Sequence, residues 1–167
     1  VDIEYRFSDK QIGIHPFSFT GRSGQLVGIM GGSGTGKSTL LNVLNGRLKL
    51  YNGFITINGY DLSLEKEELK GVIGYVPQDD LLIEELTVFE NLYYAAKLCF
   101  KDKAEAEIEQ LVNKTLTSLG LYDRRNLKVG SPLNKFISGG QRKRLNIALE
   151  LIREPSILFV DEPTSGL

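Results

Sequence analysis

Gly31-Gly32-Ser33-Gly34-Thr35-Gly36-Lys37-Ser38 is the stretch whose reading decides the fold of this chain. It fits G-x-x-x-x-G-K-[ST], the pattern of a phosphate-binding P-loop. The run before it, Leu26-Val27-Gly28-Ile29-Met30, is apolar and short, which predicts a buried strand. The run after it, Thr39-Leu40-Leu41-Asn42-Val43-Leu44-Asn45, predicts a helix stopped by Gly46. The motif therefore lies between a strand and a helix. Its glycines let the backbone fold tightly, so that successive N–H groups form an anion nest. The helix N-terminus adds about half a positive charge. Lys37 is placed to reach β- and γ-phosphates, and the Ser38 hydroxyl to coordinate Mg²⁺.

The bulk properties are those of an ordinary globular chain. The length of 167 residues suits one domain with a real core. Apolar residues make up 41% and charged residues 25%, within the usual range. A net charge of −1 argues against a large sequence-independent grip on nucleic acid. The single cysteine, Cys99, excludes an intrachain disulfide and fits a reducing compartment. It reads as a small apolar side chain on a helix face. No apolar run approaches about 18 residues, so no membrane-spanning helix is expected. The sequence starts at Val1 and stops at Leu167 in a turn-like stretch, and reads as a piece of a longer protein.

Residues 2–7 and 12–19 read as two strands, with Ile12, Ile14, Phe17 and Phe19 supplying apolar character and Pro16 suited to an edge or a bulge. His15, the only histidine, reads as a surface residue. Residues 53–59 alternate as a strand between glycines, and residues 64–70 read as a short charged helix. Residues 72–76 form a second buried strand, ending at Pro77-Gln78. Val88, Leu92, Ala95, Ala96 and Cys99 recur at helical spacing. So do Ile108, Leu111, Val112, Thr115, Leu116 and Leu119, closed by Gly120. With no strand between them, these two helices read as a helical insertion. Residues 121–136, with Gly130 and Pro132, read as a loop. A third helix starts at Ser138, with Gln141 three residues on as a capping box. Leu145, Ala148, Leu149 and Ile152 form its buried stripe. Arg142, Lys143 and Arg144 read as a solvated face or a contact for bound phosphate. Residues 157–160 are an apolar strand running into Asp161-Glu162. The order of elements indicates an α/β fold with a mostly parallel core sheet and an antiparallel N-terminal β part.

Asp161, Glu162 and Gln78 all leave strand ends, where an open α/β sheet presents its ligands. Beside an upstream P-loop, Asp161 is suited to hold Mg²⁺ directly or through water. Glu162 is suited to polarise a water for in-line attack on a γ-phosphate. Gln78 is suited to orient that water or touch the metal.

These residues together resemble the nucleotide-binding domain of an ATP-binding-cassette (ABC) ATPase. Ile137-Ser138-Gly139-Gly140-Gln141 is similar to the LSGGQ signature, and Asp161-Glu162-Pro163-Thr164-Ser165-Gly166-Leu167 resembles Walker B with the start of the D-loop. Gln78 falls at the Q-loop. Phe7, 30 residues before Lys37, falls where the family places an aromatic that stacks on adenine, with Tyr5 as its alternative. A finer likeness, carried by Ser138 to Arg144 and Glu150-Leu151-Ile152, is to the eye-pigment and multidrug half-transporters. The resemblance implies a P-loop NTPase fold, Mg²⁺ and ATP as cofactors, and nucleotide contacts from Phe7, Gly31 to Thr39 and, across a head-to-tail dimer, Ser138 to Gln141. It implies ATP hydrolysis that powers transport, a transmembrane permease as partner, and a peripheral place at the cytoplasmic face of a membrane.

The D-loop aspartate and the switch histidine of that family fall beyond Leu167, and His15 precedes the P-loop. These departures predict ATP binding with poor hydrolysis, and a sheet completed by another segment, for instance through domain swapping. The competing reading is a non-transport ABC ATPase of translation or repair. Gln78 and Ser138 are only 60 residues apart with no sustained heptads, which argues against repair-type coiled coils. A P-loop kinase is disfavoured by the signature, and a GTPase by the lack of an Asn-Lys-x-Asp run.

Overall fold

The computed structural model describes residues 2–8, 11–131 and 136–163, without the Ile12 side chain. Pro132 and the D-loop residues Thr164, Ser165, Gly166 and Leu167 lie outside the described residues. The chain divides into two compact units, Val1–Lys70 and Gly71–Leu167.

The first unit opens on an antiparallel hairpin of β1 (Ile3–Ser8) and β2 (Gln11–Phe17). Ile3 faces Phe17 and Tyr5 faces Ile14, so one residue of β1, Glu4, opposes two of β2. His15 and Pro16 occupy that irregularity, the bulge a strand proline calls for. His15 is exposed. Main-chain bonds from Glu4 to Asn52 (3.0 Å) and from Tyr51 to Glu4 (2.9 Å) tie the hairpin to the 51–52 segment. The P-loop helix α1 (Lys37–Leu44) buries Leu41 and Val43. Gly46 follows its C-cap at φ 79°, the left-handed position that glycine fills without strain.

Three expectations for this unit are corrected. Residues 26–30 are not a buried strand: Leu26 is 100% exposed and Met30 95% exposed, and no described residue forms a ladder with them. Apolar composition asks for burial, but a strand also needs a partner for its N–H and C=O groups. Residues 53–59 are not one strand. β3 (Thr56–Ile57) turns through Asn58 and Gly59 into β4 (Tyr60–Asp61), both turn residues having positive φ as a type I′ hairpin requires. Residues 64–70 form successive turns, not a helix. The Asp61 carboxylate accepts from the N–H groups of Ser63 (2.8 Å) and Leu64 (2.9 Å), while Glu65 accepts from Asp61 N (2.7 Å). These bonds favour local turns over the costly nucleus of a short helix.

The second unit pairs β5 (Ile73–Val76) with β6 (Ile157–Val160) in parallel. Three helices supply its core: α2 (Val88–Cys99), α3 (Glu105–Ser118) and α4 (Gly139–Leu151). Leu92, Ile108, Val112, Leu116, Leu145 and Ile152 are fully buried together. Burying side chains of this size contributes about 1.5–3 kcal/mol each. α2 begins with a reciprocal cap: Thr87 Oγ1 accepts from Glu90 N (3.1 Å), and Glu90 accepts from Thr87 N (2.8 Å). Cys99, expected on an apolar face, is exposed at the last residue of α2. Residues 121–131 of the expected 121–136 loop form a loop with a 3-10 turn at Tyr122–Arg124 and a bridge between Lys128 and Thr87; residues 132–135 lie outside the described residues. No helix among the described residues is long and apolar enough to cross a membrane.

Candidate functional site

In the first unit the P-loop leads into α1 through two left-handed glycines, Gly34 at φ 77° and Gly36 at φ 91°. A side chain at either position would be strained, so the sequence admits little else there. Gly36 is the N-cap of α1, and no side chain caps that end. Thr35 Oγ1 donates to Gly32 O (2.9 Å). A Cβ built on Gly31 would sit 2.7 Å from that hydroxyl, so the loop closes only around glycine. The Lys37 ammonium donates to Gly31 O (3.1 Å) and Gly32 O (2.8 Å). Residues 31–35 are exposed. An uncapped helix N-terminus, a curled glycine loop and an ammonium folded over it fit a phosphate group.

Phe7 is 57% exposed and meets Tyr5 edge to face, with centroids 5.2 Å apart. Both rings lie against Gly13 of β2, where a Cβ would come within 2.7 Å of Tyr5 and 2.9 Å of Phe7. The small residue makes room for the aromatic pair and leaves Phe7 accessible for stacking on a planar base.

In the second unit, the β5–β6 register brings the predicted chemistry to one sheet end. Val76 faces Val160, and Asp161 N donates to Val76 O (2.9 Å). Gln78 and Asp161-Glu162 thus leave parallel strands at the same C-terminal edge. Asp161 is buried, and its Oδ2 accepts from the Tyr75 hydroxyl at 3.5 Å. Glu162 has φ 44°, a left-handed backbone uncommon for a side-chain-bearing residue. Ser138 caps α4 as expected: Gln141 N donates to Ser138 Oγ (3.3 Å) and Ser138 N to Gln141 Oε1 (2.8 Å).

The basic run in α4 is a correction. Arg142 and Lys143 are buried; only Arg144 is exposed. Arg142 Nε and Nη2 donate to Asp80 Oδ2 (2.8 Å) and Oδ1 (3.0 Å), and Nη1 donates to the carbonyls of Val129 and Gly130. Lys143 Nζ donates to Pro77 O (3.3 Å) and Gln78 O (3.0 Å). Helical spacing contains the signal: Arg142 lies three residues before Leu145, on the buried stripe. Tyr75, Asp80 and Asn146 also support this edge, with no sequence signal singling them out.

The donors available for a metal are hard oxygens, the Ser38 hydroxyl in the first unit and the Asp161 carboxylate in the second. No group of three or more His, Cys, Asp or Glu side chains forms a metal cage among the described residues. Each of the two donors, taken by itself, is a hard oxygen of the kind Mg²⁺ accepts beside waters and phosphate oxygens.

A family model described as "ABC transporter" matches residues 14–165. The chain is 46% identical over 147 residues to the ABC-type transporter claG of Penicillium crustosum, covering 87% of the chain and 20% of that protein. It is 43% identical over 148 residues to ABC transporter G family member 25 of Oryza sativa subsp. japonica, covering 86% and 14%. Among solved structures, cbiO1 from Clostridium perfringens, described as part of the ABC transporter complex cbiONQ, superposes with a TM-score of 0.85 at 30% identity. That superposition covers 99% of the chain and 64% of cbiO1. The chain thus spans about a fifth or less of the length of these two curated relatives.

Proposed function

The chain belongs to the ABC transporter family as an ATP-binding domain, and on that premise we propose that it binds Mg-ATP and hydrolyses it to drive a permease partner. The observation that carries the reading is the P-loop: two left-handed glycines feeding an uncapped helix, with Lys37 folded over the Gly31 and Gly32 carbonyls. In this reading Lys37 exchanges those neutral acceptors for phosphate oxygens, a charge-assisted and stronger bond. ATP supplies the phosphoryl electrophile, and Mg²⁺ neutralises charge on it. Ser38 and Asp161 are the ligands that would hold the metal, Phe7 the ring that stacks on adenine. Glu162 takes a proton from the attacking water, and Gln78 orients that water. Ser138 to Gln141 supply a second anion-binding helix start, used by a second nucleotide-binding domain in a head-to-tail pair.

A permease partner and a place at the cytoplasmic face of a membrane are supported by the transporter names of the relatives. Leu81, Ile83, Tyr94 and Leu98 of the second unit are exposed apolar side chains available to such a partner. Calorimetric titration with Mg-ATP tests the core of the proposal. Micromolar binding that disappears in Lys37→Ala supports it. Binding unchanged in that variant sinks it.

A further inference from the structure

Beyond Val76 the chain leaves the β5–β6 ladder, so residues 77–81 need partners that the sheet no longer supplies. α4 provides them in sequence. Lys143 holds the Pro77 and Gln78 carbonyls, Arg142 holds the Asp80 carboxylate, and Asn146 Oδ1 accepts from Leu81 N (3.3 Å). All three α4 residues are buried, Arg142 at 4% and Asn146 at 2% exposure. The Gln78 side chain itself stays exposed. Arg142 also binds the carbonyls of Val129 and Gly130, on the approach to Ser138.

Two cations inside a helix flank are costly to desolvate. An apolar face would pack with less penalty but would leave the turn free to choose its path. We propose that Arg142, Lys143 and Asn146 are positioning residues for Gln78: they lock residues 77–81 to α4, so that Gln78 and the Ser138 helix start respond to nucleotide as one body. This rests on the ATP-binding reading above and assigns to α4 a task beyond presenting Ser138. None of the three touches nucleotide in this scheme. They act through the Pro77 and Gln78 carbonyls, the Asp80 carboxylate and the Leu81 N–H.

Hydrogen–deuterium exchange on the full chain, with and without saturating Mg-ATP, tests the clamp. In the unsubstituted chain, Mg-ATP is expected to slow exchange at residues 33–39, 77–81 and 139–142 together. In Lys143→Met the slowing at 33–39 persists, while that at 139–142 is lost. Lys143→Arg, which keeps donors near the two carbonyls, restores it. Asn146→Leu is a second variant that removes one clamp bond and also a buried amide nitrogen that has no partner, so its fold is retained. It loses part of the 139–142 response. A purely structural role would change basal exchange and leave the nucleotide-dependent difference intact. An undiminished 139–142 response in Lys143→Met and Asn146→Leu overturns the clamp. Slowing confined to 33–39 in the unsubstituted chain also overturns it. No slowing at 33–39 overturns the ATP-binding reading itself, and the clamp with it.

Discussion

Arg142 and Asp80, 62 residues apart in sequence, meet as a two-pronged ion pair, with Nε 2.8 Å from Oδ2 and Nη2 3.0 Å from Oδ1. The Arg142 side chain is 5% exposed and that of Asp80 27%, so water screens the pair from one side only. Asp80→Ala strands the guanidinium and is expected to cost on the order of 3 kcal/mol, at the low end for a buried pair because of that partial exposure. Adding Arg142→Met to Asp80→Ala is expected to recover much of the loss. Urea denaturation of the single and double variants measures both.

Glu162 sits at the end of β6 with a left-handed backbone, beside the buried Asp161. Glu162→Gln keeps the shape and removes the base. Turnover is expected to fall by about 10²–10⁴-fold, with Mg-ATP binding and the unfolding midpoint unchanged. Steady-state hydrolysis compared with calorimetry checks this, and turnover equal to that of the unsubstituted chain would remove Glu162 from the mechanism.

The Tyr75 hydroxyl reaches Asp161 Oδ2 from the neighbouring strand at 3.5 Å, a long bond. Its loss in Tyr75→Phe frees the carboxylate to rotate. The Mg²⁺ concentration that half-saturates ATP binding is expected to rise about threefold, the size of a weak hydrogen bond. Nucleotide affinity without metal stays the same. Titrating Mg²⁺ at fixed ATP separates the two.

α2 and α3 are linked at the surface by Lys97 Nζ and Glu105 Oε1, 2.8 Å apart. The bond to Lys97 lowers the Glu105 pKa from its ordinary 4.5, and the bond to Glu105 raises that of Lys97 from 10.5. A lowered acid contributes stability that is complete above 4.5 and is lost as pH falls through the folded value. A raised base contributes stability that is complete below 10.5 and is lost as pH rises through its folded value. The stability difference between the unsubstituted chain and Glu105→Gln is therefore expected to be constant through neutral pH. It should vanish in acid below the folded pKa of Glu105, as thermal melts across pH will report.

Leu92 is fully buried among Ile108, Val112 and Leu116. Leu92→Ala leaves a cavity there and is expected to cost about 3 kcal/mol. A loss below about 1 kcal/mol in chemical denaturation would mean that these helices are not packed as described.

What could be read from the sequence shares one property: its cause is local. The P-loop turn follows from glycines at positions that need positive φ, α2 and α3 from apolar spacing, and the α4 cap from Ser138 and Gln141 three residues apart. β5 and β6 follow from short apolar runs, and the likeness of motifs led from there to the family. Tertiary structure decided the rest, because it depends on segments far apart in the chain. Residues 26–30 have a strand's composition, yet stand exposed, with no partner strand among the described residues. Residues 64–70 are the exception, missed although the cause is local: they have charges at helical spacing, yet the Asp61 carboxylate bonds Ser63 N and Leu64 N and holds the start of that stretch in turns. Arg142 and Lys143 have the look of a solvated face. They are buried because residues 77–80 leave the sheet with two carbonyls and a carboxylate to satisfy, and α4 is the element beside them.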